Sequence, residues 1–322
     1  MADSNLETLV TVFGGSGFLG RHVVRALARR DYRIRVAVRR PELAFHLQPI
    51  GKVGQIHAVQ ANVRNADSVQ AAMRGSDVVV NLVGILSPAG AQSFDTVHSQ
   101  ASGTMAKAAA EIGARMVHVS AIGADAKSTS VYARSKAAGE AAVLAAVPSA
   151  TILRPAVVFG PEDEFTNRFA FMAQILPVLP LVGGDTRMEP VFVGDVADAV
   201  AEAVGGKTKA GATYELGGPE VLTMREIMQM ILEITDRDRP LVPLPFALAR
   251  FMAFFLQFAP GALKLTPDQV ELLKTDKVVS DAAKAAGLTL QGLGIKPDSM
   301  EAVLPQFLWR FRPMGQFQRK SV

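Results

Sequence analysis

The glycine-rich segment near the start of the chain constrains the fold more than any other feature. Gly14, Gly17 and Gly20 follow the apolar run Leu9–Phe13 and precede a helix-compatible segment, Arg21–Arg30. Glycines at this spacing allow a tight turn, a close approach of backbone to a pyrophosphate, and close helix–strand packing. The helix would add unpaired N–H groups and a positive dipole end to the phosphates. The segment therefore predicts a dinucleotide-binding loop, formed by Gly14, Gly15, Ser16, Gly17, Phe18, Leu19 and Gly20.

Short apolar runs and helix-compatible segments alternate through the first 160 residues. Parallel strands joined by crossover helices produce this pattern. Because the runs are apolar throughout, helices should cover both faces of the sheet. The pattern predicts an α/β chain with a doubly wound parallel sheet, the Rossmann fold. The predicted strands are Leu9–Phe13, Ile34–Val38, Ile56–Gln60, Val78–Val83, Met116–Ser120 and Thr151–Arg154.

Beyond Pro161 the pattern loosens, because prolines and glycines separate shorter elements. We predict a Rossmann domain over residues 1–160 and a smaller C-terminal lobe over 161–322. Strand-like pieces at Pro190–Val193 and Thr213–Leu216 are expected to return to the main sheet, so that the two lobes interleave. Helices are expected at Met224–Thr235 and Pro267–Lys274.

Composition excludes several classes of site. The absence of cysteine rules out disulfides, zinc–thiolate centres and thiol nucleophiles. The five histidines lack metal-ligand spacing, so no metal site is predicted, and His57 and His118 are expected to pack within strands. Although the net charge is +4, the basic residues are mixed with acidic ones, which predicts no nucleic-acid partner. Residues 1–7 are polar and acidic, unlike a signal peptide, so we expect a cytoplasmic protein.

The end of the second predicted strand indicates which dinucleotide binds. An acidic residue there would hold the ribose 2′-hydroxyl, whereas a cation accommodates a 2′-phosphate. This chain has Arg39 and Arg40 instead of an acid, which favours NADP(H) over NAD(H). Two surface arginines with no ligand are the alternative. Further along, Asn62 and Val63 are expected beside the adenine, and Leu82, Val83 and Gly84 on the adenosine side.

A serine, a tyrosine and a lysine form the candidate catalytic set. Tyr132 and Lys136 would lie one helical turn apart, so the ammonium can lower the pKa of the phenol and bind the nicotinamide ribose. Such a tyrosine can exchange a proton with a substrate oxygen while hydride moves at the nicotinamide. Ser120, at the end of the fifth predicted strand, would hold that oxygen.

With these motifs the chain resembles the extended and atypical branch of the short-chain dehydrogenase/reductase superfamily. Segments 154–169, 191–197 and 265–270 are similar to one subgroup, the NADPH-binding accessory subunit of respiratory complex I (alpha-subcomplex subunit nine) and its bacterial relatives. The resemblance covers nearly the whole chain. It implies an accessory or assembly subunit of complex I or other quinone-linked machinery that holds NADP(H), with Pro155 at the cofactor.

Two departures from the extended relatives bear on catalysis. Gln100 stands where these relatives usually carry an asparagine, and Tyr132 follows Ser120 by only 12 residues. The short spacing makes a nucleotide-sugar substrate unexpected. The complete set of Ser120, Tyr132 and Lys136 leaves a second function open. It is a freestanding NADP(H)-dependent reductase, epimerase or dehydratase acting on an apolar carbonyl compound or a quinone precursor.

Two C-terminal features suggest contact with a membrane. The run Phe251–Phe258 has helical spacing and can be either a core-facing helix or an apolar docking surface. The apolar stretch Phe246–Pro260 falls short of the roughly 20 residues that span a bilayer. Arg310, Arg312, Arg319 and Lys320 follow the last acidic residue and form either a solvated tail or a basic patch. Together they predict peripheral attachment to the inner face of a membrane or to a hydrophobic partner. The resemblance implies that such partners would be complex I subunits.

Overall fold

The structure is a computed structural model that describes residues 5–88, 90, 92–259 and 261–317. A seven-stranded parallel sheet has the strand order β11-β6-β5-β4-β1-β2-β3. Its strands are β1 (Leu9–Phe13), β2 (Arg33–Val38), β3 (Ile56–Gln60), β4 (Val78–Asn81), β5 (Arg115–Val119), β6 (Thr151–Pro155) and β11 (Thr213–Leu216). The predicted doubly wound α/β fold is confirmed, as is the return of 213–216 to the main sheet.

Helices cover both faces of this sheet. One face packs against α2 (Ala66–Met73), α3 (Ala101–Glu111) and α4 (Val131–Ala146) through an apolar cluster that includes Phe13 and Met105. On the other face, α1 (Phe18–Ala28) contacts α6 (Val193–Val204). Because β1 and β4 are buried from both sides, each has only one polar residue, Thr11 in β1 and Asn81 in β4.

The chain divides into two compact units. The first comprises residues 1–155, 193–216 and 280–296, and therefore contains the sheet, its covering helices and α10 (Asp281–Ala286). The second comprises residues 156–192, 217–279 and 297–322.

The second unit has short strands and its own apolar core. Its strands are β7 (Val158–Phe159), β8 (Leu179–Leu181), β9 (Arg187–Met188), β10 (Val191–Phe192), β12 (Leu222–Thr223) and β13 (Leu241–Pro243). Its helices are α5 (Thr166–Ile175), α7 (Met224–Thr235), α8 (Phe246–Leu256), α9 (Pro267–Leu272), α11 (Met300–Val303) and α12 (Pro305–Leu308). The core joins α5, α7, α11 and α12 through residues such as Ala170, Ile227 and Leu304.

The expectation for Pro190–Val193 was wrong. Val191 and Phe192 pair with Val158 and Phe159 in a separate two-stranded sheet, and Val193 begins α6. A two-residue strand has too little apolar pattern to reveal its partner from sequence. Within the described part of the chain, no helix has both the length and the apolar character needed to cross a bilayer.

Candidate cofactor-binding and active site

The glycine-rich loop joins β1 to α1 at the carboxyl edge of the sheet. Gly14 has a φ of +81°, in the left-handed region that favours glycine, and a Cβ there would lie 3.2 Å from the carbonyl carbon of Leu82. A Cβ on Gly20 would overlap the carbonyl oxygen of Gly14. Gly17 caps α1, and a Cβ there would come within 4 Å of a single described atom, the Gly14 oxygen at 3.4 Å. The loop therefore turns at Gly14, packs at Gly20 and leaves open space at Gly17.

The other residues of the glycine-rich loop are buried or half-buried. Gly15 is buried against β2, where a Cβ would meet Val36 Cγ1 at 2.7 Å. Ser16, Phe18 and Leu19 are half-buried, and the Phe18 ring lies edge-on to His22 at 6.0 Å.

A cavity of about 390 Å³ lies at the end of β2, next to the start of α2. Its lining is Arg39, Gln60, Ala61, Asn62, Asn65 and Ser68. Arg39 is exposed, and its side chain forms no hydrogen bond or ion pair with the part of the chain that the structure describes. Arg40 is also exposed but does not line this cavity. The cavity thus offers one uncommitted guanidinium with amide and hydroxyl groups beside it.

The segment after β4 runs beside the glycine-rich loop. Leu82 and Val83 are half-buried and Gly84 is exposed. The buried Asn81 side chain ends the strand, because its Oδ1 accepts the Val83 N–H at 3.0 Å. A Cβ on Gly84 would lie 3.5 Å from Lys136 Nζ, so this segment meets the candidate catalytic residues.

The structure brings Tyr132 and Lys136 of α4 to the carboxyl end of β5. Lys136 Nζ donates to the carbonyl oxygen of Val119 at 3.4 Å and lies 5.9 Å from the Tyr132 ring centroid. Ser120, the next residue after Val119, is buried. Burial lowers the pKa of the Lys136 ammonium to about 8, and the Glu140 carboxylate opposes that shift. Because neutral pH lies below this value, a large fraction of the Lys136 side chains stays charged. No carboxylate of the described residues is in direct contact with this ammonium.

An ion pair between the half-buried Arg154 and the buried Glu140 links α4, the helix that carries Lys136, to the sheet. Arg154 of β6 donates to both carboxylate oxygens of Glu140, at 2.9 and 2.6 Å. The hydrogen bonds with Glu140 raise the pKa of Arg154. Glu140 lies one turn after Lys136, so the pair fixes the register of α4 against the sheet.

Two buried polar atoms near Lys136 have no hydrogen-bond partner among the described residues, namely Ser120 Oγ and His118 Nε2. Unpaired buried donors and acceptors are rare in folded proteins and point to a missing partner. His118 Nδ1 pairs with the Asn81 amide nitrogen at 3.0 Å, so the ring proton of neutral His118 is on Nε2. His118 therefore belongs to a polar network and is more than the packing residue expected. Together with the open glycine-rich loop, these atoms fit a bound dinucleotide and a substrate oxygen.

Sequence reasoning missed His98. This residue lies in a π-helical turn, Asp95–Gln100, and its buried ring is edge-on to Tyr132 at 5.4 Å. Its Nε2 accepts the Ile85 N–H at 3.0 Å, and its Nδ1 lies 2.9 Å from Ser135 Oγ. Burial and the charge of Lys136 lower the pKa of His98 to about 3.

Gln100 does not face the candidate catalytic residues. Its side chain is exposed and donates to Asp95 Oδ2 at 2.6 Å. His98, two residues earlier, is the side chain from this turn that reaches Tyr132. The one local signal for this arrangement is Gly139 inside α4, where a Cβ would overlap the His98 carbonyl oxygen.

The remaining predicted cofactor residues lie at the same edge of the sheet. Asn62 is exposed and accepts the Arg64 N–H through Oδ1, while Val63 packs against the core. Pro155 ends β6 and is buried, and its carbonyl oxygen accepts the Ile122 N–H at 2.9 Å.

In the second unit, the aromatic run begins within α8 and ends just beyond it, and its phenylalanines are exposed. Phe251, Phe254, Phe255 and Phe258 are 65%, 60%, 59% and 82% exposed. The helix packs on α9 through Ala249 and Ala253, which are fully buried. The phenylalanines of this run therefore do not pack into the apolar core of the described chain.

The predicted basic tail divides into two parts. Arg310 donates to Asn167 Oδ1 at 2.5 Å and to the Pro161 carbonyl at 2.8 Å, and Arg312 donates to the Ile234 carbonyl at 2.8 Å. These two arginines are tied to the fold of the second unit and do not belong to a free tail. Arg319 and Lys320 lie outside the described residues.

Comparison with known proteins identifies the family. The model of the NAD dependent epimerase/dehydratase family matches residues 10–217, which span β1 to the end of β11. The chain belongs to this family. Among solved structures, the epimerase/dehydratase-like fold recurs in triphenylmethane reductase from Citrobacter sp., with a TM-score of 0.73 and 18% identity over 93% of this chain and 99% of that one.

Curated relatives within the family match nearly the full length of this chain. The mitochondrial NADH dehydrogenase [ubiquinone] 1 alpha subcomplex subunit 9 of Arabidopsis thaliana is 36% identical, over 95% of this chain and 79% of that protein. A ceramide reductase of Caulobacter vibrioides is 32% identical, over 87% of this chain and 89% of that protein. The resemblance to the complex I subunit is confirmed, and another protein that the chain is similar to is named as an enzyme.

Proposed function

We propose that this family member binds NADP(H) and serves as an accessory or assembly subunit of respiratory complex I or of related quinone-linked machinery. The observation that carries the cofactor choice is Arg39, an arginine that has no partner among the described residues and lines a cavity at the end of β2. A 2′-phosphate would give this guanidinium a charge-assisted partner, whereas a plain ribose would not. The accessory role rests on the 36% identity to the complex I subunit along almost the whole chain.

The residues that would hold the cofactor all belong to the first unit. Gly14–Gly20 and the start of α1 would take the pyrophosphate, and the Arg39 cavity the adenosine end. Lys136 and Tyr132 would bind the nicotinamide ribose. The bound dinucleotide would supply hydride if a substrate is present, or only a rigid filling of the groove if none is.

The accessory role is tested by native purification from membranes solubilised in mild detergent. We expect complex I subunits, identified by mass spectrometry, to copurify with the chain and NADP(H) to be released on denaturation. A Gly17→Val variant should lose the nucleotide and lower the amount of assembled complex I, whereas Tyr132→Phe should assemble normally. A chain that carries NADP(H) but never migrates with complex I would contradict the accessory role.

We further propose that α8 attaches the protein to an anionic membrane surface. Residues 239–267 contain no acidic side chain but include Arg239, Arg250 and Lys264. Inserting each exposed phenylalanine into the headgroup region would contribute about 1–2 kcal/mol, since full burial is worth about 1.5–3. Each nearby cation adds roughly 1 kcal/mol on an anionic surface. An exposed apolar face in a segment that carries only positive charge suits a peripheral helix lying in the membrane interface.

Vesicle flotation tests this attachment. The wild type should float with vesicles containing phosphatidylglycerol, and less with pure phosphatidylcholine. The double variant Phe254→Ser/Phe255→Ser should lose most binding, and Arg319→Gln/Lys320→Gln should lose part of it. The matched control is Phe45→Ser, an equally exposed phenylalanine of the first unit, which should float like the wild type. Equal binding by all variants would refute the assignment to α8.

A second function is favoured by one specific observation, the buried Ser120 Oγ, which has no hydrogen-bond partner among the described residues and directly follows Val119, the residue whose carbonyl accepts from Lys136 Nζ. In a reductase, Ser120 would donate a hydrogen bond to the substrate carbonyl and Tyr132 would give its proton to that oxygen. Lys136 would keep the phenol acidic enough for the transfer. The similarity to a ceramide reductase directs the search toward lipids with a carbonyl group. NADPH oxidation with such substrates should fall at least about a hundredfold in Tyr132→Phe, with NADPH binding retained.

A further inference from the structure

We propose that His98 is a positioning residue that ties the segment after β4 to the helix carrying Tyr132, and thereby shapes the cofactor groove. This inference rests on the proposed NADP(H) site. It assigns to His98 a role that neither the glycine-rich loop nor the serine, tyrosine and lysine set supplies.

The ring of His98 joins two separate segments of the first unit. On one side, Nε2 accepts the backbone N–H of Ile85, directly after Leu82–Gly84. On the other side, Nδ1 lies 2.9 Å from Ser135 Oγ, and that hydroxyl donates to the Tyr132 carbonyl oxygen at 2.7 Å. These two hydrogen bonds are called the Ile85 arm and the Ser135 arm. The His98 ring lies near Lys136, since a Cβ on Gly84 would contact both His98 Nε2 and Lys136 Nζ.

The two hydrogen bonds specify a single tautomer. Nε2 accepts from an amide and is therefore unprotonated, so the ring proton is on Nδ1 and is donated to Ser135 Oγ. Ser135 in turn has its own proton available for the Tyr132 carbonyl. Because burial and Lys136 lower the pKa of His98 to about 3, the ring keeps this neutral form at neutral pH.

Aromatic packing holds the ring in this orientation. His98 stacks on Phe94 at 5.6 Å and 26°, and meets the Tyr132 ring edge-on at 89°. Phe94 also contacts Tyr132 edge-on, at 5.7 Å. The π-helical turn and Gly139 together allow the His98 backbone to approach α4 closely. Because Phe94, Tyr132 and the backbone of α4 all pack against His98, a displacement of the segment after β4 would also displace α4.

The two arms can be separated by substitution. The amide nitrogen of an asparagine lies near the position of Nδ1, and the amide oxygen of a glutamine near that of Nε2. His98→Asn therefore keeps a donor for Ser135 and loses the Ile85 arm. His98→Gln keeps an acceptor for Ile85 and loses the Ser135 arm, while His98→Phe loses both and keeps the stacking.

The test combines NADPH titration with amide hydrogen exchange. We expect His98→Gln to bind NADPH within about twofold of the wild type, and His98→Asn and His98→Phe to bind about tenfold more weakly. The Ile85 amide should exchange faster in the asparagine and phenylalanine variants only. In wild-type protein, ¹⁵N spectra should show His98 as the Nδ1–H tautomer. Equal NADPH affinity in all three variants, or the opposite tautomer, overturns the inference even if the wild type binds NADPH. A wild type that binds no NADPH overturns the proposed cofactor function itself and this inference with it.

Discussion

Replacing Arg39 with alanine should weaken NADPH binding about tenfold and leave NADH binding unchanged. The side chain forms no hydrogen bond or ion pair with the described residues, so its removal takes no interaction from the folded protein. A hydrogen bond to a charged group is worth about 1.5–3 kcal/mol. Because Arg39 is exposed, solvent and salt place its contribution near the lower end, about 1.5 kcal/mol. Since 1.4 kcal/mol corresponds to a factor of ten, the expected loss is about tenfold.

Isothermal titration with both cofactors at low and high salt measures this effect. The difference between NADPH and NADH should shrink as salt is added, because the contact is exposed. Arg33→Ala provides a matched control, since Arg33 is an exposed arginine at the opposite end of the same strand. Equal weakening of both cofactors by Arg39→Ala, or the same loss in Arg33→Ala, would refute the assignment of Arg39 to the 2′-phosphate.

Three further predictions follow from the same geometry. Burial lowers the pKa of Lys136 from 10.5 to about 8, so between these values the unfolded chain binds more protons. The free energy of unfolding, measured by chemical denaturation, should therefore rise with pH across that interval. In Lys136→Met the contribution of this site to the rise should be absent. Gly20→Ala should unfold or rearrange the loop, because its Cβ would overlap the Gly14 oxygen, whereas Gly17→Ala should keep its circular dichroism and lose dinucleotide affinity. Phe254→Ser/Phe255→Ser should change unfolding stability by less than about 1 kcal/mol, since both rings are exposed.

The strands and the glycine-rich loop could be predicted because their signals are local. A run such as Val78–Asn81 is apolar at most positions since helices cover both faces of the sheet. The prediction overran this strand to Val83, because Asn81 ends it with a side-chain bond to the Val83 amide that composition cannot reveal. Tyr132 and Lys136 were also predictable, since one turn of a helix fixes their proximity.

Contacts between distant segments could not be predicted in the same way. His98 meets Ser135 across 37 positions of sequence, and only the packing of the π-helical turn on α4 brings them together. The exposure of α8 was equally hidden, because ten of its eleven residues are apolar and such a sequence does not indicate which side is covered. Burial of Ala249 and Ala253 decides the matter, since these small residues pack on α9 and leave the phenylalanines outside.

Ser120 separates the two proposed functions more sharply than Tyr132 or Lys136, because the latter two would hold a cofactor in either case. The buried Ser120 Oγ has no hydrogen-bond partner among the described residues, and an unpaired buried polar group costs about 1–3 kcal/mol. Alanine removes the hydroxyl and leaves little cavity, so Ser120→Ala should leave the unfolding free energy unchanged or raise it by about 1 kcal/mol. The matched control is Ser102→Ala, a buried serine whose Oγ accepts from Asn81 at 3.1 Å and whose loss should destabilise the fold.

If the Ser120 hydroxyl serves a substrate oxygen, Ser120→Ala should also abolish most NADPH turnover. If the protein is a subunit that only stores the cofactor, the Ser120→Ala variant should assemble as well as the wild type. A Ser120→Ala variant that unfolds more easily than the wild type would show that the hydroxyl has a partner within the folded chain, and the substrate role would lose its physical basis.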